Sequence, residues 1–454
     1  MKFEIVVAHN CNGGIGLKNS IPWKCKEDMS FFKGITSTGN NAVIMGSNTW
    51  RSMGSRPLCG RSNFVISKSM DASVEGVRVC RSVKDCVSFI LAQADNLDRA
   101  FIIGGESIYR QFLDARLVSV IYANVIICDK SECDTFFGNI PNYFSKQLDY
   151  TGTSGLVRYT RYTTLVNTDE IQYLELAQSI LLEGEARQDR TGTGTLSVFG
   201  SSMRFSLRGG RVPLLTTKKV FWKGVVEELL WMISGSTDAK QLSDKGVTIW
   251  DGNSSRQFLD NLGFTQRAVG DLGPVYGFQW RFFGAKYVDC TTDYSGQGVD
   301  QLAKCIDMIK RDPCSRRIIL SAWNPSDLDN MNLPPCHVMA QFFVSGGELS
   351  CMVFQRSVDV GLGLPFNIAS YGLLTHMIAK CCGLKAKELI YSTGDTHIYR
   401  DHVGALERQV SRDPVAFPMV ELSEHVREID DFTSGDIKLK GYLSYPGIKM
   451  TCSA

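Results

Sequence analysis

The segment Pro334-Pro335-Cys336-His337 sets a thiol beside an imidazole in a stiff turn, between two stretches of strand-forming composition. Arg316-Arg317 stands about twenty residues before it and Gln355-Arg356-Ser357 about twenty after. A cysteine attacks as thiolate, and an unperturbed pKa near ~8.5 leaves it mostly protonated at neutral pH. Nearby cations favour the ionised form, and Arg356 and His337 are the candidates for that role. Arginine forks also bind phosphate. One cysteine of 15 is more often just a small buried hydrophobe, but these prolines and arginines set Cys336 apart. The combination points to covalent catalysis on a phosphorylated substrate. Arg190 adds to it, because Asp189-Arg190-Thr191-Gly192-Thr193-Gly194 is a glycine-punctuated loop able to close around a phosphate. No Gly-Lys-Ser/Thr follows, so this is not a Walker loop.

A different chemistry stands in the N-terminal third. Asp28 lies in Glu27-Asp28-Met29-Ser30-Phe31-Phe32-Lys33, on a predicted helix. A helical Asp is usually a solvated surface charge; on the apolar side, near Met29 and Phe32, its pKa would rise. Gly104-Gly105 follows a strand ending at Ile103 and precedes a helix beginning near Ser107. Backbone can approach a pyrophosphate at such a helix start, although the full Gly-x-Gly-x-x-Gly fingerprint is absent.

The elements that must position these groups fall into two patterns. Residues 1–166 alternate strands (Phe3–Ala8, Ala42–Gly46, Asn63–Ser67, Ala100–Gly104, Ser119–Ile127) with helices near Glu27–Lys33, Val83–Ala92 and Ser107–Leu113. That alternation predicts an α/β domain with a largely parallel central sheet. From Asp169 the pattern changes. Leu174, Ala177, Ile180 and Leu181 recur at helical spacing before Gly184. Further helices are predicted at Val225–Ile233, Leu302–Ile309 and Tyr371–Cys382, and strands at Arg317–Trp323, Val338–Val344 and Ser350–Phe354. This second domain, 169–454, reads as α+β, joined to the first by a short linker at 167–168 with no Pro/Gly/Ser tract.

Composition excludes several classes. With 44% hydrophobic and 21% charged residues the chain can build cores and is not disordered. A net charge of +2 marks neither a nucleic-acid nor a membrane binder. No Cys-x-x-Cys pair occurs and six histidines are scattered singly, so neither a metal site nor a disulfide framework is expected. Reduced thiols, no signal-peptide pattern and no long apolar run point to the cytoplasm.

Over residues 169–454 a series of motifs resembles thymidylate synthase: Asp189–Gly194, Glu227-Glu228-Leu229-Leu230-Trp231, Gly270-Asp271-Leu272-Gly273-Pro274-Val275-Tyr276-Gly277, Ser315-Arg316-Arg317, Pro334–His337, Gln355-Arg356-Ser357, Gly363-Leu364-Pro365-Phe366-Asn367 and Gly394-Asp395-Thr396-His397-Ile398-Tyr399. The resemblance implies reductive methylation of dUMP by 5,10-methylenetetrahydrofolate. Cys336 would add to C6 of the uracil, and Glu228 would organise proton transfer through water. Arg190, Arg356 and Ser357 would hold the phosphate, with Arg316 and Arg317 reaching in from the second subunit of a homodimer. His337, Gln355, Asp359 and Asn367 would complete the nucleotide site, Asn367 reading the base, and His397 and Tyr399 would hold the deoxyribose hydroxyl. Trp250, Asn253, Asp359 and Phe366 would line the folate pocket. The family's C-terminus closes over its ligands, and Lys449-Met450 resembles its usual ending.

Residues 1–166 resemble dihydrofolate reductase through Gly14-Ile15-Gly16, Ile21-Pro22-Trp23, Asp28, Val43-Ile44-Met45-Gly46, Thr49-Trp50, Pro57-Leu58-Cys59-Gly60-Arg61, Ile103-Gly104-Gly105 with Tyr109, and Asp134-Thr135-Phe136-Phe137. This implies hydride transfer from NADPH to dihydrofolate. Asp28 would hydrogen-bond the pterin, Arg61 would pair with the glutamate carboxylate, and Val6, Val7, Ala8, Phe32, Ile103 and Tyr109 would wall the pocket. Ala8, Ile15, Gly16, Gly46, Thr49, Gly104 and Gly105 would contact the dinucleotide, with Ser67, Lys68 and Arg81 toward its 2′-phosphate. Three positions depart from the family pattern. Ser47 stands where a cation is usual, Cys59 replaces a proline, and no threonine falls near Asn124-Val125 to back the carboxylate. The leading expectation is therefore the fused reductase–synthase of protozoa and plants. It needs no metal, nucleic acid or membrane. The alternative is an active synthase carrying a catalytically weak reductase-like scaffold.

Overall fold

The computed structural model describes residues 2–115, 117–127, 132–141, 144–164, 167–189 and 192–451. Arg190 and Thr191, both named above, lie outside them. The chain forms two compact units. One is Met1–Thr168 with Arg412–Ala416 and Leu443–Pro446; the other is Asp169–Ser411, Phe417–Tyr442 and Gly447–Ala454.

The first unit carries β1 (Lys2–Asn10), β2 (Gly14–Gly16), β3 (Asn41–Gly46), β4 (Arg61–Ile66), β5 (Val77–Cys80), β6 (Arg99–Gly104), β7 (Val118–Ile126), β8 (Thr135–Phe136), β9 (Phe144–Thr151) and β10 (Val157–Thr164). Its helices are α1 (Lys26–Ser37), α2 (Ser47–Ser52), α3 (Val83–Ala92) and α4 (Glu106–Asp114). Eight strands form one sheet in the order β5-β4-β3-β6-β1-β7-β10-β9. It is parallel from β5 to β7 and antiparallel at β10 and β9. Parallel strands covered on both faces need continuous apolar runs, and Ala42-Val43-Ile44-Met45 is buried throughout. Alternate side chains enter opposite cores. Phe3, Ile5, Val7 and Ile44 pack with Val87, Ile90 and Phe112 of α3 and α4. Val6, Val43, Met45 and Phe101 pack with Trp50 and the partly buried Phe31 and Phe32 of α1.

The second unit adds β11 (Glu185–Arg187), β12 (Thr195–Ser206), β13 (Ile319–Ser321), β14 (His337–Ser345), β15 (Glu348–Asp359), β16 (Lys385–Tyr399), β17 (Met419–Leu422) and β18 (Ile437–Lys440). Its helices are α5 (Thr168–Glu183), α6 (Trp222–Ile233), α7 (Lys240–Ser243), α8 (Arg256–Asn261), α9 (Tyr276–Phe282), α10 (Gln301–Arg311), α11 (Gly363–Cys381) and α12 (Val403–Val410). Six strands form a sheet, β11-β12-β16-β15-β14-β13, whose one parallel pair is β15–β16. One face packs on α11, which is buried along most of its length. The opposite face leaves Ile319, Met339, Phe343, Met352 and Phe354 exposed, with Met339 directly opposite Phe354.

Several elements differ from expectation. The predicted strand Arg317–Trp323 shortens to Ile319–Ser321, while α11 starts eight residues before the predicted Tyr371. Pro365 falls in its first turn, where a missing N–H costs no intrahelical bond. β12, β16 and the β9–β10 hairpin have polar compositions, and sheet pairing rather than an apolar run makes them strands.

Candidate active sites

In the second unit the thiol sits where β14 begins. The Cys336 N–H donates to Tyr276 Oη at 2.8 Å, and the Arg356 N–H donates to the Cys336 carbonyl at 2.9 Å. The Arg356 guanidinium folds back on the turn, with Nε donating to the Pro335 carbonyl and Nη2 to the Pro334 carbonyl, each at 2.9 Å. β14–β15 pairing thus fixes a positive charge against the turn that carries Cys336. His337 does not supply a second cation. Its ring is buried, stacks on Tyr276 at 4.3 Å and bonds Tyr371 Oη at 2.9 Å. Burial pushes its pKa down to about 3, so it stays neutral.

Glu228 lies on α6, buried, and accepts one hydrogen bond from Trp250 Nε1 at 2.8 Å. Burial raises its pKa to about 7 against that hydrogen bond. A small cavity beside it is lined by Glu228, His337, Asn367, Ser370 and Tyr371 together with the apolar Leu229, Met232, Trp280 and Leu374. Ser370 Oγ is buried there without a protein partner, which suits a bound water. Ser370 carried no signal in the sequence, since a lone serine in an apolar helix is ordinary.

Gln355 is buried on β15, with Nε2 donating to the Ser357 carbonyl. Asp359 closes that strand and accepts the backbone N–H of Gly361 at 2.8 Å. His397 and Tyr399 lie together at the end of β16, rings 5.3 Å apart, with His397 Nδ1 3.1 Å from Asp395 Oδ1. Asn253 is half-buried in a 3₁₀ turn, and Phe366 on α11 packs beside Gly224 of α6. Arg316 and Arg317 are exposed, just before the sheet-edge strand β13.

In the first unit, the C-terminal ends of the parallel strands open on a cleft of about 640 Å³. Val6, Val7, Ala8, Ile15, Gly16, Asp28, Phe32, Gly46, Thr49, Ile103, Gly104, Gly105 and Tyr109 all line it. Gly104 has φ +140°, and a Cβ there would meet Thr49 Oγ1 at 3.0 Å. The glycine pair therefore leaves bare backbone at the start of α4, a fit for a pyrophosphate. Ile21 and Met29 line the cleft but are 60% and 58% exposed, apolar surface with room for a flat ring. Residue type and spacing mark neither as a pocket wall, nor Ser47 and Ser107, which line the cleft as well.

Asp28 is buried in the first turn of α1. Burial raises its pKa, and Asn124 Nδ2, donating to Asp28 Oδ1 at 2.7 Å, opposes the rise. Asn124 on β7 thus supplies the donor that the missing threonine would have given. Arg61 lies outside the cleft lining, its Nη1 on Thr36 Oγ1 at 2.8 Å. Arg81 Nη1 donates to the Ser67, Lys68 and Met70 carbonyls, gathering the predicted 2′-phosphate residues just beyond Ile66 at the cleft edge. Among the described residues no group of His, Cys, Asp and Glu could hold a metal ion.

The thymidylate synthase family model matches residues 171–454 and the dihydrofolate reductase model residues 2–154. Curated relatives named bifunctional dihydrofolate reductase-thymidylate synthase align over essentially the whole chain. The protein of Paramecium tetraurelia is 48% identical over 99% of this chain and 98% of its own length. That of Zea mays is 44% identical over 99% and 96%. That of Leishmania major is 42% identical over 99% and 94%. With both catalytic-domain patterns present in one chain, and identity sustained from end to end, the chain belongs to the bifunctional dihydrofolate reductase–thymidylate synthase family.

Proposed function

We propose that residues 169–454 convert dUMP to dTMP and that residues 1–166, joined through the linker at 167–168, return the dihydrofolate so formed to tetrahydrofolate. The observation that carries the first half is the turn at Cys336, clamped by Arg356 on its carbonyls and by Tyr276 on its N–H. The thiolate adds to C6 of the uracil and leaves C5 electron-rich, able to attack the one-carbon unit of 5,10-methylenetetrahydrofolate. Asn367 and Glu228 share a cavity that suits a water, which supports a proton route from Glu228 to the base. Arg190, Arg356 and Ser357 take the phosphate, His337, Gln355 and Asp359 complete the nucleotide site, and His397 with Tyr399 takes the deoxyribose. Trp250, Asn253, Asp359 and Phe366 face the folate.

For the reductase, the cleft fits a dinucleotide beside a pterin. NADPH supplies the hydride when bound. Val6, Val7, Ala8, Phe32, Ile103 and Tyr109 exclude water, Thr49 covers the glycine pair, and Asp28 holds the pterin and brings the proton. Asn124 restores the support that Asp28 needs, so the weak-scaffold reading is not favoured.

The uncovered apolar sheet face, with Arg316 and Arg317 exposed at its edge, supports a homodimer through the synthase unit in which these arginines serve the partner's phosphate site. No helix among the described residues is long and apolar enough to cross a membrane, and the described cysteines are free thiols, which supports a cytoplasmic location. The test is a paired assay. Cys336→Ala abolishes dTMP formation and leaves NADPH-dependent dihydrofolate reduction, and Asp28→Asn does the reverse. Loss of both activities in either variant would sink the division of labour.

A further inference from the structure

His402 lies in the 3₁₀ turn Arg400–His402 that follows β16, and its side chain is fully buried. Its Nε2 bonds the backbone carbonyl of Thr451 at 2.7 Å. Its Nδ1 faces Asp359 Oδ1 at 3.8 Å, an ion-pair distance, and makes no hydrogen bond of its own. The carbonyl requires a proton on Nε2. A neutral ring would then turn a lone pair on Nδ1 toward a carboxylate, whereas a protonated ring presents an N–H to each side. Burial works against the charged ring, but Asp359, the Thr451 carbonyl and Asp401, 3.9 Å from Nε2, outweigh it and raise the pKa.

The same few residues converge on Gly361. A Cβ there would lie 2.7 Å from His402 Nδ1, 3.0 Å from Met450 Sδ and 3.2 Å from Asp359 Oδ1. The Gly361 N–H donates to Asp359, and its carbonyl accepts from the buried Lys218 ammonium, while His397, opposite Asp359 in the β15–β16 register, faces the same carboxylate. The Tyr399 ring packs edge-on against His402 at 5.6 Å. The C-terminal segment therefore seats against the turn that orients Asp359, and one side chain touches both.

We propose that His402 is a positioning residue that ties the C-terminal segment at Met450-Thr451 to the Asp359 turn, so that docking of the segment and orientation of the folate-side carboxylate occur together. The proposal rests on the reading of Asp359 as a folate contact. His402 itself touches no reacting atom.

The test uses the full-length enzyme and a double-mutant cycle between His402→Ala and removal of the residues after Met450. Three quantities are read: the KM and kcat for methylenetetrahydrofolate in dTMP formation, the equilibrium affinity for dUMP alone, and dihydrofolate reduction as an internal control. One charge-assisted hydrogen bond is worth about 1.5–3 kcal/mol, so each change raises the folate KM by about tenfold to a hundredfold. The dUMP affinity and the reductase rate stay as they were, and the two changes together do no more than either alone. Losses that multiply, an unchanged folate KM, or an equal fall in dUMP affinity would overturn the proposal. If His402→Ala does not give a folded synthase unit, the cycle is run with His402→Leu, which keeps bulk but has no donor for the Thr451 carbonyl, judged by the same outcomes. Asp359→Asn separates the two readings. An unchanged folate KM there removes the folate role of Asp359, whereas a raised KM together with a multiplicative cycle removes only the His402 tie.

Discussion

Replacing Trp250 by Phe isolates the hydrogen bond that opposes burial at Glu228. The carboxylate is buried, its pKa is raised to about 7, and Trp250 Nε1 donates to it at 2.8 Å. Phe keeps an aromatic ring beside Trp231 and Tyr276, whose centroids lie 6.4 and 5.9 Å from that of Trp250, but has no N–H to give. A hydrogen bond to a charged group contributes about 1.5–3 kcal/mol, and one pKa unit corresponds to about 1.36 kcal/mol. The bond favours the ionised form, so its loss moves the Glu228 pKa upward by about one to two units. If the ionised carboxylate is the working form, the acid limb of dTMP formation moves from near pH 7 to about pH 8–9. The ionised fraction at pH 7 then falls from about one half to between about 10% and 1%, so the rate there drops about five- to fiftyfold and recovers in alkali. The assay is kcat/KM for dTMP formation across pH, with dihydrofolate reduction by the same sample as reference. A loss equal at every pH, or a limb moving toward acid, would refute this account of Glu228 and leave Trp250 as folate-pocket surface alone.

Glu228→Gln tests the same burial through stability. A folded pKa raised from 4.5 to about 7 means a contribution fully present below about pH 4.5 and lost as pH rises through 7. Above that, the ionised carboxylate costs about 3 kcal/mol. The Gln variant, though inactive as a synthase, should therefore gain stability at pH 8 and little at pH 4.5, read as the synthase unfolding transition by calorimetry; an equal gain at both pH values contradicts it. Asn124→Ala removes the donor to Asp28 and should move the pH midpoint of dihydrofolate reduction upward, with NADPH affinity unchanged and Asn124→Thr restoring the midpoint. A midpoint that stays put would show that Asn124 does not support Asp28. Phe354→Asp places a charge in the uncovered sheet face, opposite Met339. Sedimentation should then show monomers that lack dTMP formation and keep dihydrofolate reduction, whereas an intact dimer would move the interface elsewhere.

The reductase unit was largely legible because its central strands are buried on both faces and must be mostly apolar, the buried Glu4 being paired with Arg99. Phe3–Ala8, Ala42–Gly46 and Ala100–Gly104 stand out for that reason, and Val83–Ala92 for its helical period. The synthase sheet was harder to read. β12 and β16 mix Thr, Ser, Asp and Gly because one end of the sheet builds a polar site, and such stretches pair as strands only when their neighbours are in place. The start of α11 was hidden by Gly363 and Pro365, which local rules read as breakers and which the first turn of a helix tolerates.

Sequence alone determined the chemistry. A thiol in a proline turn, arginines spaced around it, a carboxylate on an apolar helix face and a glycine pair before a helix are properties of residue type and order. Tertiary structure decided which of these groups bears charge and which residues serve them. It buried the His337 ring and kept it neutral, turned Arg356 onto the turn it stabilises, brought Asn124 from β7 to Asp28 across 96 residues of chain, and set Trp250 against Glu228. These outcomes depend on desolvation and on hydrogen-bond partners distant in sequence, and neither exists until the chain has folded.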